Sequence, residues 1–290
     1  MFQSKKYRIR IFSSFCPSEN CKDIYERLCE AQLMKNYGPE NDIYITNDDD
    51  YSHVIILNTA MPTIAPTVPK ENVIGFAFEP PKFLNLSNQF IEYAKKNIGK
   101  YFIGDADGLG EPFVERYSHM WYNPPLPREP VKTRAMSIMI SDKTSEIGHE
   151  YRHKIVNRIL ESNLPIDIYG RGCRFYSFMG DDRVKGEFKE LEPYETYKFH
   201  VCIENLSVNH YFSEKIMNPL LCNTTPIYMG CKNIDHYFED NTIKLSGNID
   251  DDMKRLDAIC RNPDHYRIPI DVEKVKDRIY LLRNIRELYE

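Results

Sequence analysis

Short apolar runs rich in Ile, Val, Phe and Tyr alternate with longer helical patterns on both sides of a segment holding four prolines in seven residues, Pro124 to Pro130. Prolines that dense can continue neither a helix nor a central strand, so the segment reads as a linker. Candidate strands before it are Tyr7–Phe12, Asp42–Thr46, His53–Asn58, Val73–Phe78 and Tyr101–Ile103, with helices near Cys21–Lys35 and Ser87–Lys96. After it come strands Ala135–Ile140, Ile166–Tyr169, Phe199–Ile203 and Pro226–Tyr228, with helices near Glu146–Glu161 and from Ser213. Such alternation predicts parallel sheets covered by helices: an α/β chain of two domains facing each other across a cleft. The expected division is residues 1–122, a linker over 123–133, a second domain over 134–270 and a C-terminal helix over 271–290. That last pattern, Val272 to Leu288, is long and charged and could pack back across both domains.

Charge and apolar runs exclude several classes. Lys and Arg total 38 against 43 for Asp and Glu, a net charge of −5, which argues against a dedicated nucleic-acid binder. Val54-Ile55-Ile56-Leu57 and Val73 to Phe78 are the longest apolar runs, far below the ~20 residues of a membrane span. The opening Tyr7-Arg8-Ile9-Arg10-Ile11 alternates as a strand does, not as a signal peptide. A soluble, cytoplasmic protein is expected, in the host's cytoplasm if it is viral. The eight cysteines form no C-x-x-C pair, so reduced thiols are expected and a structural zinc site is not. Asn47 to Asp50 and Asp250 to Asp252 superficially offer D-x-D metal ligands, but acidic triplets beside turn residues read as solvated loops. Gly104 to Gly110 lacks a phosphate-loop lysine and reads as a turn. Trp121-Tyr122-Asn123-Pro124 fits either an aromatic sugar platform or linker packing.

One stretch carries chemistry. The apolar run Phe199 to Ile203 ends in Glu204-Asn205, a polar loop follows, and Ser213 can cap a helix whose first turn holds Glu214 and Lys215. In open α/β sheets ligands bind beyond the carboxyl ends of strands, where helix N-termini offer N–H groups to anions. Lys215 opposes the dipole of its helix, a placement that an anionic ligand can compensate. An isolated Glu-Lys pair is ordinarily a solvated surface pair.

This segment is not isolated. Glu204-Asn205, Glu214-Lys215 and then Thr225-Pro226-Ile227-Tyr228-Met229-Gly230 resemble the donor-binding signature of the α1,3/4-fucosyltransferases, glycosyltransferase family 10. Tyr151-Arg152, followed by Ile166-Asp167-Ile168-Tyr169-Gly170-Arg171-Gly172, is similar to that family's Arg-bearing helix and Asp-containing strand end. Phe78-Glu79-Pro80-Pro81 resembles its Phe-Glu-Ser-Pro segment, with Pro80 in place of Ser.

The resemblance implies a GT-B fold of two Rossmann-like domains and an inverting transfer of fucose from GDP-fucose to a hydroxyl of an oligosaccharide or glycoprotein acceptor. Carried over, Arg152 and Lys215 contact the diphosphate, and Glu214 holds the ribose. Tyr211 helps hold the nucleotide, Asn205 lines the donor pocket, and Glu79 is the general base. Inversion by single displacement needs one carboxylate to take the acceptor proton, and fixed cations favour the charge growing on the leaving diphosphate. On this scheme no cofactor is required, and a divalent metal could stimulate but is not expected as a bound catalytic ion. Two alternatives stay open: the same fold with another GDP- or UDP-linked sugar, and a catalytically silent glycan- or nucleotide-binding protein.

Overall fold

The computed structural model describes residues 7–28, 42–84, 86–106, 108–120 and 131–290. The proline-rich stretch through Pro130, Trp121 to Pro124, Cys29 and Asp107 lie outside the described residues. Two compact units divide the chain, Met1–Pro125 with Lys276–Glu290, and Leu126–Val275.

The first unit runs β1 (Tyr7–Ser13), α1 (Ser18–Leu28), β2 (Ile43–Thr46), β3 (His53–Leu57), β4 (Val73–Phe76), α2 (Pro81–Leu84), α3 (Asn88–Asn97), β5 (Lys100–Ile103) and β6 (Phe113–Glu115). Its strands form one parallel sheet in the order β2-β1-β3-β4-β5-β6. All of β3 and β4 is buried, the mark of strands covered on both faces. Neighbouring residues of β3 enter different cores. Ile55 packs with Ile9, Ile11 and Phe76, while Val54 and Ile56 pack with Phe90, Ala94 and Tyr101, as strand alternation requires.

The second unit runs β7 (Arg134–Met139), α4 (Ile147–Leu160), β8 (Ile166–Tyr169), β9 (Val184–Gly186), α5 (Glu192–Glu195), β10 (Tyr197–Ile203), α6 (Glu214–Leu221), β11 (Thr225–Met229), β12 (Ile243–Lys244), α7 (Ile249–Arg261) and α8 (Pro263–Tyr266). This sheet is also parallel, in the order β12-β11-β10-β7-β8-β9. From β7 the chain winds outward through β8 to β9, and from β10 it winds the other way. The strand order therefore reverses between β7 and β10, the place where open α/β sheets in general form a ligand-binding crevice.

Two sequence expectations change here. Val272 to Leu288 is not one helix: α9 (Val272–Ile279) and α10 (Ile285–Tyr289) are separated by an extended Tyr280 and a tight turn over Leu281–Asn284. The Met120 amide donates to the Ile279 carbonyl at 2.7 Å and the Leu281 amide to the Met120 carbonyl at 3.1 Å. This strand-like pairing pulls Tyr280 out of helix, and Leu281, Ile285 and Leu288 enter the first unit's core. Asp250 to Asp252 are not a loop but the first turn of α7, capped by the Asn248 side chain. Asp252 is buried and accepts from the Tyr151 hydroxyl at 2.5 Å and the Ser246 amide at 2.7 Å. Asp49 and Asp50, by contrast, are exposed partners of Arg10 and Arg8. Among the described residues no His, Cys, Asp and Glu group could hold a metal ion, and no helix is long and apolar enough to cross a membrane.

Each unit holds a histidine that is almost completely buried. His119 in the first and His200 in β10 are at most 1% exposed, and burial pushes both down to about 3. The Ser137 hydroxyl lies 2.7 Å from Nδ1 of His200. An unfolded chain protonates histidine near 6.5 while these rings stay neutral, so stability present above ~6.5 falls as pH drops toward 3. At pH 5 each ring should cost about 2 kcal/mol relative to pH 7. Urea unfolding at the two pH values checks this. His200→Gln should flatten the slope by one ring's share, and an unchanged slope in that variant would sink the assignment.

Candidate active site

Strand β10 ends at Ile203, and the next two residues organise what lies beyond it. Glu204 is buried, and its oxygens accept from the Ser213 amide at 2.9 Å and the Ser213 hydroxyl at 2.8 Å. Those bonds tie the strand end to the cap of α6, nine residues later. Glycines permit the close packing around it. A Cβ on Gly148 would lie 1.9 Å from the Glu204 carbonyl oxygen, and one on Gly230 2.4 Å from the Glu204 Cγ. Only a residue without a side chain lets α4 and the end of β11 approach so closely.

Arg152, one turn into α4, is 4% exposed. Its Nε donates to the Gly148 carbonyl at 3.1 Å and its Nη2 to Oδ1 of Asn205 at 2.6 Å. The Gly148 amide in turn donates to the Asn205 carbonyl at 3.1 Å. Arginine and asparagine, from either side of the strand-order reversal, are thus bonded at two points. Burial pulls the guanidinium pKa down, opposed by Glu204, Glu214 and Tyr211. These groups accordingly share one electrostatic neighbourhood.

Ser213 caps α6 as the sequence pattern predicts. The charge balance beside it differs from expectation. Lys215 Nζ lies 3.1 Å from Oε1 of Glu214, 3.6 Å from Oε2 of Glu204 and 3.0 Å from the Ser213 hydroxyl. Two carboxylates of the chain itself therefore compensate its unfavourable place at a helix N-terminus, and an anion would have to share it. Burial works against the Lys215 charge, but Glu214 and Glu204 more than offset that and raise its pKa. Burial would raise Glu214, yet Lys215 holds it below the usual range. Glu204 is raised, because burial outweighs Lys215 and the Ser213 bonds. Its folded form keeps the proton to higher pH, so stability falls as pH rises above the ordinary carboxylate range, opposite to the buried histidines.

Tyr211 is buried and follows His210, whose φ of 59° is left-handed. The His210 amide donates to Oδ1 of Asn233 at 2.8 Å, and its ring bonds the Tyr237 hydroxyl. The Ser207 hydroxyl and the Lys232 amide further lash the 205–212 loop to the end of β11.

Arg152, Asn205, Tyr211, Glu214 and Lys215 lie together in the second unit, beyond the end of β10 and at the start of α6. Glu79 stands in the first unit, half-buried, three residues past the end of β4. The turn before it is held by the Asn58 side chain, which accepts from the Phe78 amide at 2.9 Å, and by the Ser118 hydroxyl on the Ala77 carbonyl. Sequence reasoning left Glu204 without a role and missed His149, which is 5% exposed in the first turn of α4. Its spacing of three from Arg152 was a legible signal, since residues so placed share a helix face.

The match to a known family falls on this unit. Residues 130–267 match the model of glycosyltransferase family 10 (fucosyltransferase), C-terminal part. A putative fucosyltransferase-like protein of Arabidopsis thaliana is 24% identical over 157 residues, 53% of this chain and 29% of that relative. The chain thus spans less than a third of that relative's length. A solved α1,3-fucosyltransferase with GDP-fucose superimposes with a TM-score of 0.54 at 12% identity, over 99% of this chain and 90% of that one. Anabaena HepE in complex with UDP-glucose does so at 0.54 and 9%, over 97% of each chain. At such identities the superpositions speak to fold, which is that of the GT-B glycosyltransferases. On that fold, residues 130–267 are the part of the chain that is similar to glycosyltransferase family 10 (fucosyltransferase), C-terminal part.

Proposed function

We propose that the chain is an inverting glycosyltransferase that moves fucose from GDP-fucose to a hydroxyl of a glycan acceptor. The observation that carries this reading is the meeting of Arg152, Asn205, Glu214 and Lys215 at the strand-order reversal of a domain similar to family 10. Arg152 and Lys215 take the diphosphate. Arginine's planar fork suits two phosphate oxygens, and lysine adds a compact charge. Glu214, with a side chain 47% exposed, accepts from ribose hydroxyls, and Tyr211 helps hold the nucleotide. Glu79 removes the acceptor proton, the acceptor oxygen bonds to the sugar's anomeric carbon, and the bond to GDP breaks with its electron pair. Charge then grows on a diphosphate already beside two cations, so the scheme needs no resident metal.

The test is nucleoside-diphosphate release from GDP-fucose, GDP-mannose and UDP-glucose with a panel of oligosaccharides, in chelator. Acceptor-dependent release from GDP-fucose, with an inverted anomer in the product, is expected. Release only from UDP-glucose would keep the fold and overturn the donor. Nucleotide binding without turnover would make the chain a binding protein.

A further inference from the structure

His149 is a group beside Arg152 whose chemistry the transfer scheme leaves unused. Its residue is 95% buried (5% exposed), and Nδ1 has no hydrogen-bond partner. A buried, unpaired ring nitrogen costs stability and calls for a partner. The residue before it, Gly148, is clamped to Asn205, and Arg152 stands one turn further along the same helix face.

The charged groups around the ring come from three places. Arg152 and Glu146 belong to α4 and its cap, exposed Lys143 to the turn after β7, and Lys215 to α6. Burial first, then Arg152, Lys143 and Lys215, press the ring toward its neutral form, and Glu146 opposes them. A diphosphate entering between Arg152 and Lys215 brings two negative charges into that field and reverses its sign.

Resting on the donor site proposed above, we infer that His149 is a third diphosphate ligand, which takes up a proton from solvent as the nucleotide sugar binds. The imidazolium then donates a ring N–H to a phosphate oxygen. It stands beside the leaving group without entering the bond-making step. Donor affinity is thereby coupled to pH: it declines as pH rises above the ring's free-state pKa and levels off above its bound-state pKa.

GDP-fucose is the probe, because its diphosphate is esterified at both ends and has no group that titrates near neutrality. Calorimetric titration at pH 7.5 in two buffers of different ionisation heat counts the protons taken up. The wild-type chain should take up on the order of half a proton or more, and its Kd should rise by up to about tenfold per pH unit between pH 6 and 8. His149→Gln should bind with no proton uptake and a flat pH profile. The wild-type result stands alone if that variant does not fold. GDP-fucose binding without proton uptake, or uptake that survives in a folded His149→Gln, would overturn the assignment while leaving the donor site intact. No binding of any nucleotide sugar would overturn the donor site, and this inference with it.

Discussion

Arg152→Ala should weaken binding of GDP and GDP-fucose by ~10²–10³-fold, because a charge-assisted hydrogen bond contributes roughly 1.5–3 kcal/mol and a diphosphate would accept about two. The guanidinium is buried and already oriented: Nε is held by the Gly148 carbonyl and Nη2 by Asn205, leaving Nη1 without a hydrogen bond. Such preorganisation is what makes one arginine worth so much, since its side-chain freedom has been lost before the ligand arrives. Removing it also leaves Glu204 and Glu214 facing Lys215 alone, so the site becomes more acidic and repels an anion. Arg152→Lys should recover only part of the loss, because an ammonium lacks the fork. Calorimetry with GDP reads the effect, and binding within threefold of wild type in Arg152→Ala would remove Arg152 from the donor site.

Glu79→Gln should lower kcat by ~10²–10⁴-fold, the usual share of a positioned general base. GDP-fucose affinity should stay near the wild-type value. The expected split follows from placement. Glu79 follows a buried parallel strand of the first unit, whereas the proposed donor cluster belongs to the second. The amide is nearly isosteric with the carboxylate but cannot take a proton at neutral pH. Steady-state turnover and equilibrium binding on one preparation distinguish the two effects. A variant that keeps full turnover would show that another group is the base.

The central strands were legible because burial on both faces leaves continuous apolar runs, as in Val54 to Leu57 and Phe199 to Ile203. Three of the four edge strands were not: Phe113–Glu115, Val184–Gly186 and Ile243–Lys244 are two or three residues long and partly exposed, so they carry no run to read. Asp252 misled for a different reason. Its partner Tyr151 is 101 residues away in sequence, and nothing local separates a buried carboxylate from its two exposed neighbours. Similarly, Lys215 looked uncompensated because Glu204 reaches it only when β10 and α6 are assembled. The spacing of Arg152, Glu204-Asn205 and Glu214-Lys215 was visible in the sequence. The Gly148 contact that lets α4 sit against the strand end was not, since a glycine's neighbours are invisible without the fold.

Nucleotide-dependent thermal unfolding tests whether the chain holds a guanosine-diphosphate sugar. Bound at a hundred times its Kd, a ligand adds ~2.7 kcal/mol, and each kcal/mol is worth roughly 2–4 °C for units of this size. GDP and GDP-fucose should therefore raise the midpoint by several degrees, UDP and UDP-glucose much less, and Arg152→Ala should abolish the rise. A midpoint unmoved by either guanosine nucleotide would contradict the account.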